Sequence, residues 1–142
     1  MRIGFIEPAT NPESSFESAL EAAKQFAGME LVKSTAPDVL KIPAAAKKQF
    51  NDGVDCVVAF ISASNEHEMS LLQEKIIDVE VHHGKYVFLA VSDQKKASEA
   101  INHALSQAAE FCGNIDAGIA FMQQSENEAK DLLSDNGTSK LF

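Results

Sequence analysis

The 142-residue chain is 45% hydrophobic and carries a formal net charge of −9. That is enough chain for one domain with its own core, in a globular rather than a disordered composition. The acidic balance excludes nucleic-acid binding by bulk electrostatics, no apolar run approaches the ~20 residues of a membrane span, and two cysteines are too few for a disulfide framework.

The chain enters a strand pattern at once, with residues 3–6 (Ile-Gly-Phe-Ile) reading as a short buried strand. No apolar leader with a cleavage site precedes it, so no signal peptide is expected, and a reduced cytoplasmic setting suits Cys56 and Cys112. Residues 7–12 form a turn-rich loop at the strand's end. Ser14 or Ser15 can cap the next helix, with Glu13 or Glu17 near its positive end. Phe16, Ala19, Leu20, Ala23 and Phe26 then recur at helical spacing, and Gly28 stops the run.

Leu31-Val32 opens a second strand, which leads into Ala36-Pro37-Asp38-Val39-Leu40-Lys41-Ile42-Pro43. Pro37 fixes its own φ and pushes Ala36 toward extended geometry. Pro43 suits a first helical turn, where its missing N–H is not needed. The stretch therefore reads as strand, stiff exposed loop, then a helix over 44–50 that stops at Asn51-Asp52-Gly53. Residues 55–61 are the clearest strand, apolar on both faces, with Cys56 as a small buried hydrophobe. Asn65 can cap a third helix carrying Met69, Leu72, Ile76 and Val79 on one side and ending at His82-His83-Gly84. Residues 86–91 form a fourth buried strand. Ala97, Ile101, Ala104, Leu105, Ala108 and Phe111 mark the buried face of a long helix, which Gly113-Asn114 interrupts. A last helical pattern holds Ile119, Met122, Leu132 and Leu133. The domain is expected to span residues 1–134, with residues 135–142 as a flexible tail.

Strands alternating with helices predict an α/β, flavodoxin-like three-layer sandwich: a four-stranded parallel sheet with helices on both faces and right-handed crossovers. A ligand is then expected at the carboxyl ends of the strands, where residues 7–11, 34–42, 62–65 and 92–95 lie.

Few recognised chemical motifs are present. There is no Gly-rich phosphate loop, no Gly-x-Gly-x-x-Gly and no Gly-x-Ser-x-Gly elbow. Arg2 is the single arginine, which disfavours a phosphate clamp built on Arg forks. Among His67, His82, His83 and His103, no pair has clean ligand spacing with a third donor, so no metal is expected. His82 and His83 fit a helix C-terminus, where partial positive charge is favourable. His67 lies between Glu66 and Glu68 one turn into the third helix, at the expected ligand edge. It reads either as a general acid that keeps its proton or as part of a solvated helix start. Glu7 either contacts a ligand hydroxyl or N–H, or caps the first helix. Lys41 is either a ligand contact on the same edge or simply solvated. A receiver-type signalling domain is disfavoured, because Glu7 stands alone and residues 61–64 lack an aspartate.

Several in-frame pieces carry a resemblance to the lumazine synthase superfamily, which includes the archaeal-type riboflavin synthases. Residues 3–6 resemble the opening strand, with Glu7 in place of an acidic residue of the archaeal-type enzymes. Residues 37–48 resemble the proline loop and following helix, and residues 55–60 the next strand. His67-Glu68-Met69-Ser70-Leu71 resembles a His-Glu-x-Ser-Leu helix segment, and Gly113-Asn114 the start of the final helix. The similarity covers roughly residues 2–115.

The resemblance implies a homopentamer or larger homo-oligomer with sites between subunits, a lumazine (pteridine) or flavin ligand, and catalysis without a cofactor through orientation and proton transfer. It implies His67 and Glu7 as catalytic groups. Val39 and Leu40 would line the ring pocket, Lys41 would make a polar contact with the ligand, and Ser62, Ser64 and Asn65 would contact ribityl hydroxyls. The loop after the third strand is shorter than in lumazine synthases and lacks their Arg-Gly-x-Thr-x-His motif. Thr10, Lys41 and Ile115 stand where that family carries an aromatic residue, an acidic residue and a lysine. These departures point to the riboflavin synthase branch, whose substrate, 6,7-dimethyl-8-ribityllumazine, has no phosphate. The alternative is a non-catalytic relative that binds a lumazine or flavin, or only assembles.

Overall fold

Cys56-Val57-Val58-Ala59-Phe60-Ile61 is buried at every position, so the strand it forms requires cover on both faces. The computed structural model describes residues 1–113 and supplies that cover; Met1–Cys112 form one compact unit. The elements are β1 (Arg2–Pro8), α1 (Phe16–Ala23), β2 (Glu30–Ala36), α2 (Ile42–Asn51), β3 (Cys56–Ile61), α3 (Glu66–His83), β4 (Val87–Val91) and α4 (Ala97–Cys112). A 3₁₀ turn at Val39–Lys41 precedes α2, and another at Gln94–Lys96 precedes α4.

The sheet is all parallel, in the order β2-β1-β3-β4. The chain moves from β1 to β2 in one direction and from β2 through β3 to β4 in the other. Right-handed crossovers then put α1 on one face and α2 and α3 on the opposite one. The cores follow the period of two along β3. Cys56, Val58 and Phe60 join Ile3, Phe5 and the buried faces of α1 and α4. Val57, Ala59 and Ile61 join Ile6 and the buried faces of α2 and α3. This is the flavodoxin-like three-layer sandwich that the sequence predicts.

Gly4 sits at the closest approach of β1 to α2. A methyl group there would overlap the Gln49 side-chain amide and press on Val57. Gln49 is buried and donates Nε2–H to the Val32 carbonyl at 2.9 Å, which ties α2 to β2. Asn65 and Glu68 form a reciprocal capping box at the start of α3, and Gly84 ends that helix in the left-handed region at φ 63°.

The structure differs from the sequence expectation in five places. The fourth strand, expected to be buried over residues 86–91, runs Val87–Val91 at the sheet edge and leaves Tyr86 and Val91 exposed, because an edge strand has a neighbour on one side only. Glu7 and Pro8 continue β1, paired with Thr35 and Ala36, instead of opening a loop. The register extends that far because the Ala9 N–H donates to the Ala36 carbonyl at 2.7 Å, closing the ladder past a proline that lacks a donor. Helix α1 stops at Ala23, before Phe26. Leu20, expected on the buried face of α1, is 41% exposed, and Phe111, expected on that of α4, is 57% exposed. Each lies at the border of its helix's apolar stripe. The expected last helix with Ile119, Met122, Leu132 and Leu133, Ile115, and the tail at 135–142 lie outside the described residues.

Candidate functional site

In an open parallel sheet the reversal of strand order leaves a crevice at the carboxyl ends of the two strands that flank it. Here those strands are β1 and β3. The side chain of Asn11 occupies the crevice and spans it. Its Nδ2 donates to the Phe60 carbonyl at 3.0 Å, and its Oδ1 accepts the Ser62 N–H at 3.0 Å. The amide copies a strand's donor–acceptor pair and continues the β1–β3 ladder by one step. Sequence reading placed Asn11 in a turn and gave it no role.

Glu7 lies at the end of β1 and is 4% exposed. Its carboxylate faces the start of α1. Oε2 accepts the Ser15 N–H at 2.7 Å and Oε1 accepts the Ser14 hydroxyl at 2.7 Å. Ser14 Oγ in turn accepts the Phe16 N–H at 3.3 Å. Ser15 occupies the N-cap position but makes no capping bond from its own side chain. Its hydroxyl accepts Nε2–H of Gln94 at 2.6 Å, which joins this helix start to the turn after β4. Of the two roles open to Glu7 in the sequence, the observed geometry is that of the cap, with both oxygens engaged.

The remaining expected site residues fall into two groups. Val39 is 1% exposed and packs within the α2/α3 core beside Leu72, so it supports the proline loop from below. Asn65 uses its side-chain oxygen on the Glu68 N–H at 2.8 Å, and Glu68 Oε1 accepts the Asn65 N–H at 3.2 Å. These bonds hold the first turn of α3 in place. Leu40, Lys41, Ser64 and His67 are exposed on the loops and helix start that follow β2 and β3. The Val39–Lys41 turn packs against α3. The carboxyl edge thus groups Leu40, Lys41, Ser64 and His67 as accessible side chains, while Glu7, Val39 and Asn65 are committed to the scaffold.

Three polar atoms on this edge are buried without a protein partner: Asp38 Oδ1 after β2, Ser62 Oγ after β3 and Gln94 Oε1 after β4. Buried polar atoms are nearly always bonded, and a buried water is the ordinary partner for atoms such as these. Nearby, a cleft of about 170 Å³ is lined by Glu7, Pro8, Asn11, Glu13, Lys33 and Thr35. It is smaller than the roughly 300–1,000 Å³ of enclosed small-molecule sites. Lys33 is a second feature that sequence reading missed; its Nζ lies 5.4 Å from the centre of the Phe16 ring. A wider hollow of about 530 Å³, lined by Leu20, Phe26, Met29 and Leu31 among others, lies at the start of β2, the opposite end of the sheet.

Among the described residues, no group of three or more His, Cys, Asp or Glu side chains is placed to hold a metal ion. No described helix is long and apolar enough to cross a membrane. No family model matches the chain, and no curated protein matches it.

Proposed function

We propose that the chain binds a ribityllumazine at the carboxyl edge of its sheet and turns it over as an archaeal-type riboflavin synthase. The observation that carries this reading is the grouping of the exposed Leu40, Lys41, Ser64 and His67 on the loops and helix start that follow β2 and β3. A ribityl chain presents several hydroxyls in a row, and the Ser64 hydroxyl can donate to or accept from one of them. Leu40 offers an apolar contact for the heterocycle. His67, at the start of α3, is the group that moves a proton at the ring, and Lys41 adds a cation beside it. By the family resemblance the chain assembles as a homopentamer or larger homo-oligomer, in which a neighbouring subunit completes the site.

A second reading is a non-catalytic lumazine- or flavin-binding relative. The engagement of Glu7 with Ser14 and Ser15 favours it, because that buried carboxylate is held by the start of α1. Fluorescence separates the two. Purified protein mixed with 6,7-dimethyl-8-ribityllumazine is expected to convert the emission to that of riboflavin over time. Raised polarisation without conversion supports the second reading, and no change in either defeats both.

A further inference from the structure

β4 is an outer strand of the sheet, and among the described residues no strand pairs with its free edge. Five of the seven exposed large hydrophobic side chains lie on β4, just before it, or on the helices that flank it: Ile77 and Val81 of α3, Tyr86, Val91, and Phe111 of α4. Val81 and Tyr86 line one hollow of about 300 Å³. On the α4 face, Tyr86, Phe88 and Phe111 form an aromatic row with ring centres 5.9 and 6.5 Å apart. Residues 86–91 contain no charged residue and no proline, the devices that protect natural sheet edges. We propose that a second copy of this chain covers the edge, β4 pairing antiparallel with its counterpart about a two-fold axis at Leu89.

The bonding of the strand itself points to that occupant. The Tyr86 carbonyl accepts the Val57 N–H at 3.1 Å, and the Ser92 N–H donates to the Ile61 carbonyl at 3.3 Å, so these residues bond inward to β3. Alternation along the strand then turns the N–H and C=O groups of Val87, Leu89 and Val91 outward. The Val87 N–H is already held by Glu80 Oε2 at 3.0 Å. Antiparallel pairing sets outward residues opposite one another, and centring it on Leu89 gives the longest overlap. Leu89 then exchanges two bonds with the partner's Leu89, and each Val91 N–H donates to the partner's Val87 carbonyl. Every free N–H of the strand's outer edge is satisfied, and the contact is isologous, as a two-fold interface requires. The same register sets Lys85 opposite the partner's Asp93 and Asp93 opposite the partner's Lys85, so both ends of the seam are complementary in charge. A two-fold contact cannot by itself close a ring of five, so the seam is separate from such a ring. It uses none of Leu40, Lys41, Ser64 and His67.

The test traps the seam in the full chain carrying Cys112→Ser, which leaves the buried Cys56 as its native thiol. Leu89→Cys in that chain sets two Cα atoms about 5.5 Å apart across the axis, within disulfide range. Val91→Cys sets its pair about 14 Å apart, beyond that range. Under mild oxidation, Leu89→Cys is expected to give a covalent dimer and Val91→Cys single chains, although Val91 is the more exposed position. Separately, Val91→Lys puts a charge on the edge without touching the bonds to β3. Sedimentation is expected to show half the wild-type mass for that variant, with an unchanged circular dichroism spectrum. Equal cross-linking of the two cysteine variants, or a Val91→Lys mass equal to the wild type, would overturn the inference. So would a wild-type mass of one chain with a slowly exchanging Leu89 amide, which would give the edge to another segment of the same chain.

Discussion

Glu7 Oε2 accepts the backbone N–H of Ser15 at 2.7 Å, so a carboxylate at the end of a buried strand caps the helix that follows it. The negative end of this bond meets the positive end of α1, and the Ser14 hydroxyl fills the second oxygen. Removing the carboxylate leaves a buried N–H unpaired. Glu7→Ala is expected to destabilise the chain by about 2–3 kcal/mol, and Glu7→Gln by less, because one carbonyl oxygen remains to accept. Urea unfolding of the three proteins checks the order. Equal midpoints for wild type and Glu7→Ala would remove the capping role.

Asn11 closes the switch-point crevice with two backbone bonds. Asn11→Ala is expected to lower stability by about 2 kcal/mol, since each net hydrogen bond contributes about 1 kcal/mol. Asn11→Asp keeps the acceptor for Ser62 but sets a carboxylate oxygen against the Phe60 carbonyl, and is expected to be at least as destabilising as Asn11→Ala. Amide exchange at Ser62 reads the local effect: it should accelerate in Asn11→Ala and stay slow in Asn11→Asp.

Gly4 and Gln49 are coupled by close approach. Gly4→Ala is expected to cost about 1–3 kcal/mol through overpacking. In the Gln49→Ala background the overlap with the amide is gone and only the 3.2 Å contact with Val57 remains, so the same change is expected to cost less. A double-mutant cycle measures this, and additive effects would show that the two positions do not compete for the same volume.

His83 contributes to the pH dependence. Burial of its ring against Phe50, at 5.2 Å between centroids, and the nearby charges of His82, Lys47 and Lys85 lower its pKa. The unfolded chain therefore binds a proton more readily than the folded one. Its contribution is fully present above about pH 6.5, the unfolded value, and is lost as pH falls through that value toward the folded one. His83→Phe removes the titration while keeping a ring beside Phe50. Comparing Tm between about pH 7.5 and 5.5, the wild type is expected to lose more than the variant; parallel losses would assign the acid sensitivity to other groups.

The sheet and its helices were legible because their signals are local. The apolar run at 56–61, the Asn65 cap and the Gly84 stop each follow from neighbours in sequence. The proline stretch was legible for the same reason, with Pro43 in the first turn of α2. The committed roles at the site were not. Asn11 is fixed by Phe60 and Ser62, and Gln49 by Val32 and Gly4, across long stretches of chain that periodicity cannot connect. Glu7 illustrates the same point at short range. Both of its roles were open in the sequence, and only the angle at which α1 leaves β1 turned its carboxylate toward Ser15. Val39 shares that origin, since a 3₁₀ turn rather than an open loop points it into the core.

The most direct test of the ligand edge maps binding residue by residue. Backbone amide NMR shifts recorded with 6,7-dimethyl-8-ribityllumazine are expected to change at Asp38–Lys41, Ser62–His67 and Gln94, with Gly28 and Gly84 unmoved. Shifts confined to Leu20, Phe26 and Met29, or none at saturating ligand, would contradict the account.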